Sequence, residues 1–172
     1  VLPRNWFVGE KFCKVGRELA GATGSVYRVP VPHRSGSPAA LVVKFSRAAQ
    51  DVPVAVLDDG LQLDSQERQV VAGAQFLAPF AEFGAVHRLR AAAGSSVRIK
   101  QPLAIYSPPM RYQKWELGRK TYLTSQMNRE LAESQTGVPE ERRVTYDWER
   151  LYILLYGWSD GIDAEEGARR GM

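Results

Sequence analysis

The sequence predicts an α+β fold: a five-stranded antiparallel sheet with a packed helix, and a further helix inserted between the last two strands. Two short apolar runs, 40–45 and 151–156, are typical of buried strands. Between them, residues 64–83 and 117–134 carry apolar side chains at helical spacing. Strands that are separated in this way by single helices favour one mixed α+β domain.

The first two strands are predicted to form a hairpin. The segment 12–19 leads into Gly21-Ala22-Thr23-Gly24, and Ser25 to Val31 then alternates as a strand does. Glycine accepts backbone conformations that other residues avoid, so the turn of this hairpin is placed at 21–24. Such a turn also lets backbone N–H groups approach phosphate oxygens, where a side chain would collide.

The third strand, 40–45, ends in Lys44-Phe45 after a continuous apolar run. An ammonium at the end of a buried strand is costly unless it meets an anion. The helix predicted for 64–83 carries Glu67 one turn before its apolar face, which comprises Val70, Val71, Ala74, Leu77 and Ala78. Pro79 predicts a kink or an end near residue 78. Residues 97–106 follow as a strand that Pro102 restricts to an edge or a bulge.

Residues 107–149 are an insertion. Its helix is predicted over 117–134, with a buried stripe of Leu117, Leu123, Met127 and Leu131 and an end at Gly137 and Pro139. The last strand, 151–156, is followed at 157–172 by a turn and a short helix, interpreted as the start of a linker. The chain is thus predicted to be one domain, 1–172.

Composition limits the classes of function. One cysteine, Cys13, allows no internal disulfide and fits a reducing cytoplasm, and the presence of only two histidines argues against a His-based metal site. No apolar run approaches the ~18 residues of a membrane span. The net charge is +4, and basic residues recur over 88–120. They are typical either of a nucleic-acid footprint or of a solvated surface. No nucleic-acid-binding motif lies there, which favours the surface.

The order of these features resembles the small lobe of eukaryotic-like (bacterial-type) Ser/Thr protein kinases. Residues 15–28, which include the turn at 21–24 and Val26, look like the glycine-rich loop G-x-G-x-x-G-x-V of that family. Leu41-Val42-Val43-Lys44 looks like its V-A-I-K strand, and residues 151–156 look like its strand into the hinge between lobes. Glu67 is the best match to the helix glutamate that pairs with the lysine, and Glu82 is second.

The resemblance implies an ATP site. Gly21, Ala22, Thr23, Gly24 and Ser25 would cover the phosphates, and Val26 would roof the purine. Lys44 would hold the α- and β-phosphates, with Glu67 orienting it. Backbone groups of Tyr156 and Trp158 would meet the adenine.

The resemblance has limits within these residues. The position of the first glycine holds Leu19 or Ala20. The catalytic-loop H-R-D and metal-binding D-F-G motifs do not occur in the 172 residues, and His87-Arg88-Leu89 lacks the aspartate. The chain is therefore expected to bind ATP without transferring phosphate on its own. Magnesium and the large lobe are expected only in a complete parent protein, which by resemblance would be a kinase.

An alternative interpretation is a pseudokinase-like module that binds a protein partner through the insertion. Tyr112, Trp115 and Tyr122 lie beside its amphipathic helix, and exposed aromatic side chains are typical anchors of interfaces. Packing of the same aromatics into the core is the competing interpretation.

Overall fold

The computed structural model describes residues 15–19, 26–31, 39–51, 66, 76–93 and 99–158. These residues form the predicted α+β fold. Its elements, in chain order, are β1 (Arg17–Leu19), β2 (Val26–Val31), β3 (Ala39–Phe45), α1 (Pro79–Ala92), β4 (Gln101–Tyr106), α2 (Thr121–Ser134), a 3-10 turn (Glu140–Arg142) and β5 (Ile153–Gly157).

The five strands form one antiparallel sheet in the order β1-β2-β3-β5-β4. The predicted hairpin is confirmed, because β1 and β2 pair with Leu19 opposite Val26. The last strand inserts between β3 and β4, which makes β5 a central strand with most of its side chains buried. Its apolar sequence reflects this position, since strands flank it on both sides and both of its faces are covered.

Strand β4 lies at the edge of the sheet, as the proline within it predicts. The register against β5 shifts between Pro102 and Ala104, which is a bulge or a similar irregularity. Proline has no N–H to donate, and an edge position with a local irregularity accommodates this loss. The strand is shorter than predicted and begins at Gln101.

Helix α1 begins at Pro79, where the sequence predicts a kink or an end of the helix over 64–83. Pro79 is the first residue of the helix, which continues to Ala92, and residues 76–78 precede it without helical structure. Proline suits the first helical position because its fixed φ fits the helix and its missing N–H needs no partner there. The earlier part of the predicted helix, including Val70, Val71 and Ala74, lies outside the described residues.

The insertion belongs to the core of the domain. Leu123 and Met127 of α2 are buried in one cluster with Ala48, Ala49, Ala78, Tyr146, Trp148 and Tyr152. Leu131 packs against this cluster, and Leu117 is half-buried before the helix begins. Helix α2 starts at Thr121, four residues later than predicted, because residues 114–118 form a turn in which Gly118 has a φ of +65°.

Hydrogen bonds connect the insertion to the segment that follows β3. The N–H of Lys120 donates to the Ala49 carbonyl at 2.8 Å, and the Gln50 side-chain amide donates to the Leu117 carbonyl at 2.8 Å. The buried Arg119 guanidinium donates to the carbonyls of Trp148 and Arg150. Burial lowers the pKa of Arg119 to about 10. These contacts connect residues 117–120 to the segment after β3 and to the residues just before β5.

Candidate functional site

Strand register places the side chain of Lys44 on the face of the sheet that α1 covers. Lys44 lies opposite Val26 of β2 and Leu154 of β5, and Val42 lies opposite Tyr156. Side chains directly across an antiparallel pair share a face. The sheet therefore presents a cation beside an apolar surface, and this surface packs against Val86 and Phe83 of α1.

The ammonium of Lys44 forms a bidentate ion pair with Glu82. Its Nζ lies 2.8 Å from both carboxylate oxygens, and each side chain is 13% exposed. Glu82 stands in the first turn of α1, where the helix dipole favours a carboxylate. Burial reduces the solvent screening of this pair, so its attraction exceeds that of a surface ion pair.

Glu82 is therefore the observed carboxylate partner of Lys44. The sequence ranks it second, after Glu67. Glu67 itself lies outside the described residues. A helix that starts at Pro79 brings Glu82 to its first turn and hence to the end of β3.

Tyr156 adds a third group to this pair. Its ring is fully buried, and its hydroxyl donates a hydrogen bond to Oε1 of Glu82 at 3.0 Å. Burial raises the pKa of Tyr156, and the neighbouring negative charge of Glu82 raises it further. The phenol thus remains protonated, and a hydrogen-bond donor, throughout the physiological range of pH.

Lys100 provides a second cation close to the first. Its Nζ lies 4.0 Å from the centre of the Tyr156 ring, and among the described residues no carboxylate lies within ion-pair distance. Burial lowers the pKa of Lys100; the charge of Glu82 opposes this effect and that of Lys44 adds to it. Lys44, Lys100 and Glu82 together leave an excess of positive charge on this face.

Trp158 lies just past the end of β5. The Arg28 guanidinium stacks over its indole ring at 4.6 Å. The backbone N–H of Trp158 donates to the Ala40 carbonyl at 3.1 Å. The prediction that its backbone is available to an adenine edge therefore needs correction for this N–H group. Tyr156 likewise lies within the sheet, in register with both β3 and β4, and its side chain reaches Glu82.

The structure brings together only some of the predicted site residues. Val26, Lys44 and Tyr156 share one face of the sheet, and Trp158 follows Tyr156 at the end of the same strand. The predicted loop residues Gly21, Ala22, Thr23, Gly24 and Ser25 lie outside the described residues.

Sequence reasoning missed two residues of this cluster in their observed roles. Lys100 carries no sequence signal beyond its place in the predicted edge strand 97–106 and among the basic residues of 88–120, and the sequence predicts only a backbone role for Tyr156. A tyrosine within a buried strand is itself a signal, because a buried phenol usually requires a hydrogen-bond partner.

The aromatics of the insertion differ in exposure. Trp115 is 76% exposed and Tyr122 is 60% exposed, whereas Tyr112 is half-buried. Two clefts of about 340 and 250 Å³ flank α2, and Leu131 and Tyr146 line both. The first cleft lies between α1 and α2, with Arg88 and Glu130 among its lining residues. Exposure of Trp115 and Tyr122 excludes core packing for these two side chains.

Metal-binding clusters and membrane-spanning helices are absent from the described part of the chain. It contains no group of three or more His, Cys, Asp or Glu side chains placed to hold a metal ion. None of its helices has both the length and the apolar character that a membrane crossing requires. Comparisons of the chain with protein-family models, with curated proteins and with solved structures found no match.

Proposed function

We propose that this chain is the ATP-binding small lobe of a protein-kinase-like protein, in which Lys44 contacts the α- and β-phosphates and Glu82 orients Lys44. The observation that carries the proposal is the bidentate Lys44–Glu82 pair between β3 and the helix that precedes β4. By resemblance, a lysine on the third strand paired with a helix glutamate is the arrangement that protein kinases use.

The chemistry of the pair suits a polyanion. An ammonium has three N–H donors, and the two oxygens of Glu82 accept two of them. The third donor is then directed by a fixed side chain and serves a phosphate oxygen. Lys100 nearby raises the positive potential of the same face, which strengthens attraction for a nucleotide triphosphate.

The apolar part of the face suits a base. Val26 and Val42 lie on the same side of the sheet as Lys44, and both are half-buried. A purine ring needs apolar contact on its faces and a cation farther along at its phosphates. Val26, directly opposite Lys44 on the neighbouring strand, supplies this apolar contact beside the cation, whereas Val42 packs against the cluster of Val86, Leu154 and Tyr156.

Phosphoryl transfer is not proposed for these residues alone. The resemblance assigns the catalytic and metal-binding aspartates to a large lobe, and their motifs do not occur in the 172 residues. Magnesium would accordingly bind with ATP only where that lobe is present. The proposed contribution of this chain is binding and orientation of the nucleotide.

Direct binding measurements test the proposal. We would titrate the 172-residue chain with a fluorescent ATP analogue and displace the analogue with ATP. Displacement is expected for the wild type and should weaken at least tenfold in Lys44→Met, which removes a charge-assisted contact worth about 1.5–3 kcal/mol. Thermal stabilisation by ATP should be small, since RT ln(1 + [L]/Kd) stays low when the cleft has one wall.

Lys120→Met is the matched control, because Lys120 is exposed at the start of α2. It removes the same charge from the protein without touching the pair. Equal ATP affinity in Lys44→Met, Lys120→Met and the wild type would contradict the proposed site.

A second candidate function is recognition of a protein partner through the insertion. The exposed indole of Trp115 favours it, because a side chain of that size at 76% exposure is typical of an interface anchor. A photo-crosslinking residue at position 115 should capture such a partner, and one at position 87, exposed on α1 outside the insertion, should not. Equal capture from both positions would speak for non-specific contact.

A further inference from the structure

The ring of Tyr156 is held from two directions. It lies on the central strand β5, fully buried, and stacks against Phe83 of α1 with ring centres 6.4 Å apart. The ammonium of Lys100 rests over the ring at 4.0 Å. With the strand fixing its backbone and these contacts fixing its ring, the phenol has little rotational freedom.

The hydroxyl of this fixed ring has one described acceptor, Oε1 of Glu82. The same oxygen accepts from Lys44 at 2.8 Å. Glu82 is the flexible member of this group, since three side-chain torsions separate its carboxylate from α1. A rigid donor from β5 therefore limits the orientations of the carboxylate that Lys44 meets.

The position of Lys100 strengthens this donor. A cation over the face of an aromatic ring attracts its electron density, and the interaction is strongest where water is excluded. A phenol with less electron density on its ring is a better hydrogen-bond donor. The charge of Lys100 thus acts on Glu82 through the ring of Tyr156 as well as through space.

We propose that Tyr156 is a positioning residue that holds Glu82 in bidentate contact with Lys44, and that Lys100 reinforces this hold through the Tyr156 ring. The inference deepens the proposed function, because an oriented Lys44 is what the nucleotide site needs. Its geometric content is independent of any nucleotide. The test therefore measures the availability of the Lys44 amine without ligand.

Trace acetylation of the 172-residue chain, quantified for each lysine by mass spectrometry, reports that availability. The exposed Lys114 and Lys120 serve as internal references. Tyr156→Phe keeps the ring and removes the hydroxyl. We expect Lys44 to react about tenfold faster in this variant, the factor that corresponds to ~1.4 kcal/mol for a hydrogen bond to a charged group. Lys100→Met should accelerate it about threefold through loss of the cation–π contact, although it also removes the repulsion between the two ammonium groups.

Two further variants complete the experiment. Glu82→Gln removes the ion pair and should accelerate the acetylation of Lys44 more than Tyr156→Phe or Lys100→Met does. This result would show that the method detects loss of the Lys44–Glu82 pair. Tyr112→Phe removes a hydroxyl whose described contact is the Met110 sulfur at 3.9 Å, and should leave Lys44 unchanged.

Acetylation of Lys44 in Tyr156→Phe within twofold of the wild type, with Glu82→Gln accelerated, would overturn the inference. If Tyr156→Phe loses its fold, so that every lysine reacts faster, Lys100→Met decides in its place and an unchanged rate overturns the inference. Failure of ATP to bind would not affect these rates. Unchanged acetylation of Lys44 in Tyr156→Phe, together with normal binding of ATP by the wild type, would refute the positioning role of Tyr156 and leave the proposed nucleotide site standing.

Discussion

Lys44 and Glu82 stand 38 positions apart in the chain, yet the ammonium of one lies 2.8 Å from both carboxylate oxygens of the other. The pair connects the end of a central strand to the first turn of α1. Two charges that are mostly removed from solvent cost desolvation energy, and their attraction offsets this cost only while both are present. Stability and the proposed nucleotide site thus depend on the same two side chains.

Removal of either charge should destabilise the protein. We expect Lys44→Met or Glu82→Gln to lower the free energy of unfolding by about 2–4 kcal/mol, because each leaves a mostly buried charge without its oppositely charged partner. The double variant Lys44→Met/Glu82→Met should lose less than the sum of the single losses. Urea denaturation followed by circular dichroism measures all three.

The exposed pair Arg129–Glu133 is the control for that experiment. Its nitrogen–oxygen distance is 4.0 Å, and both side chains are more than 70% exposed. Glu133→Gln should therefore change the stability by less than about 0.5 kcal/mol. Similar losses for Glu133→Gln and Glu82→Gln would show that burial contributes nothing to the inner pair.

Strands were the most predictable part of this fold. The runs 40–45 and 151–156 correspond to β3 (Ala39–Phe45) and β5 (Ile153–Gly157) within two residues at each end. Central strands bury both faces, so their sequences are mostly apolar and can be recognised from the sequence alone. The edge position of β4 was equally predictable, because Pro102 restricts where that strand can lie.

The start of α1 was not predictable from local pattern. A proline ends one helix or begins the next, and Pro79 fits both interpretations until the tertiary structure selects one. The partner of Lys44 depended on the same choice. Glu82 is the partner because α1 begins at Pro79. The spacing of residues in a sequence does not determine which turn of a helix contacts which end of a strand.

The contacts of Lys100 and the hydroxyl of Tyr156 lay beyond sequence reasoning for a different reason. They join α1, β5 and the residue before β4, and no local pattern in the sequence determines how these elements lie against one another. Side-chain contacts between elements follow from that placement. The exposure of Trp115 likewise depended on how the turn 114–118 leaves the core.

Burial of Met127 predicts that the insertion stabilises the whole domain. Met127→Ala should lower the free energy of unfolding by about 2–4 kcal/mol, since it removes a buried side chain from the cluster around Trp148. Tyr122→Ala, at an exposed position of the same helix, should change it by about 0.5 kcal/mol or less. Chemical denaturation of both variants makes the comparison. A Met127→Ala variant as stable as Tyr122→Ala would indicate that the insertion is an appendage.

Tyr146 predicts a loss of stability in alkali. Burial raises its pKa to about 12, against 10.0 for the free phenol. The unfolded chain therefore releases this proton first, and the folded state retains it. The free energy of unfolding that this pKa difference contributes is fully present below pH 10. It is lost as the pH rises toward 12, at about 1.4 kcal/mol per pH unit.

Comparison of the wild type with Tyr146→Phe isolates that contribution. Lys100 and Arg119, whose pKa values burial lowers, contribute the opposite slope, and both proteins carry them. The free energy of unfolding, measured by urea at several pH values between 10 and 12, should fall more steeply in the wild type. Parallel curves would contradict a raised pKa for Tyr146.

Two glycines should respond to alanine in opposite directions. Gly137, after α2, has a φ of +84°, and a Cβ added there would meet nothing within 4 Å. Gly137→Ala should therefore destabilise the protein by about 1 kcal/mol, the cost of placing alanine in a left-handed backbone conformation. Gly84 lies within α1, where an added Cβ would meet only the flexible end of Arg88 at 3.4 Å. Gly84→Ala should therefore stabilise the protein by up to about 1 kcal/mol through helix propensity. Thermal unfolding midpoints that shift in the same direction for both variants would contradict either the turn at 137 or the helical backbone at 84.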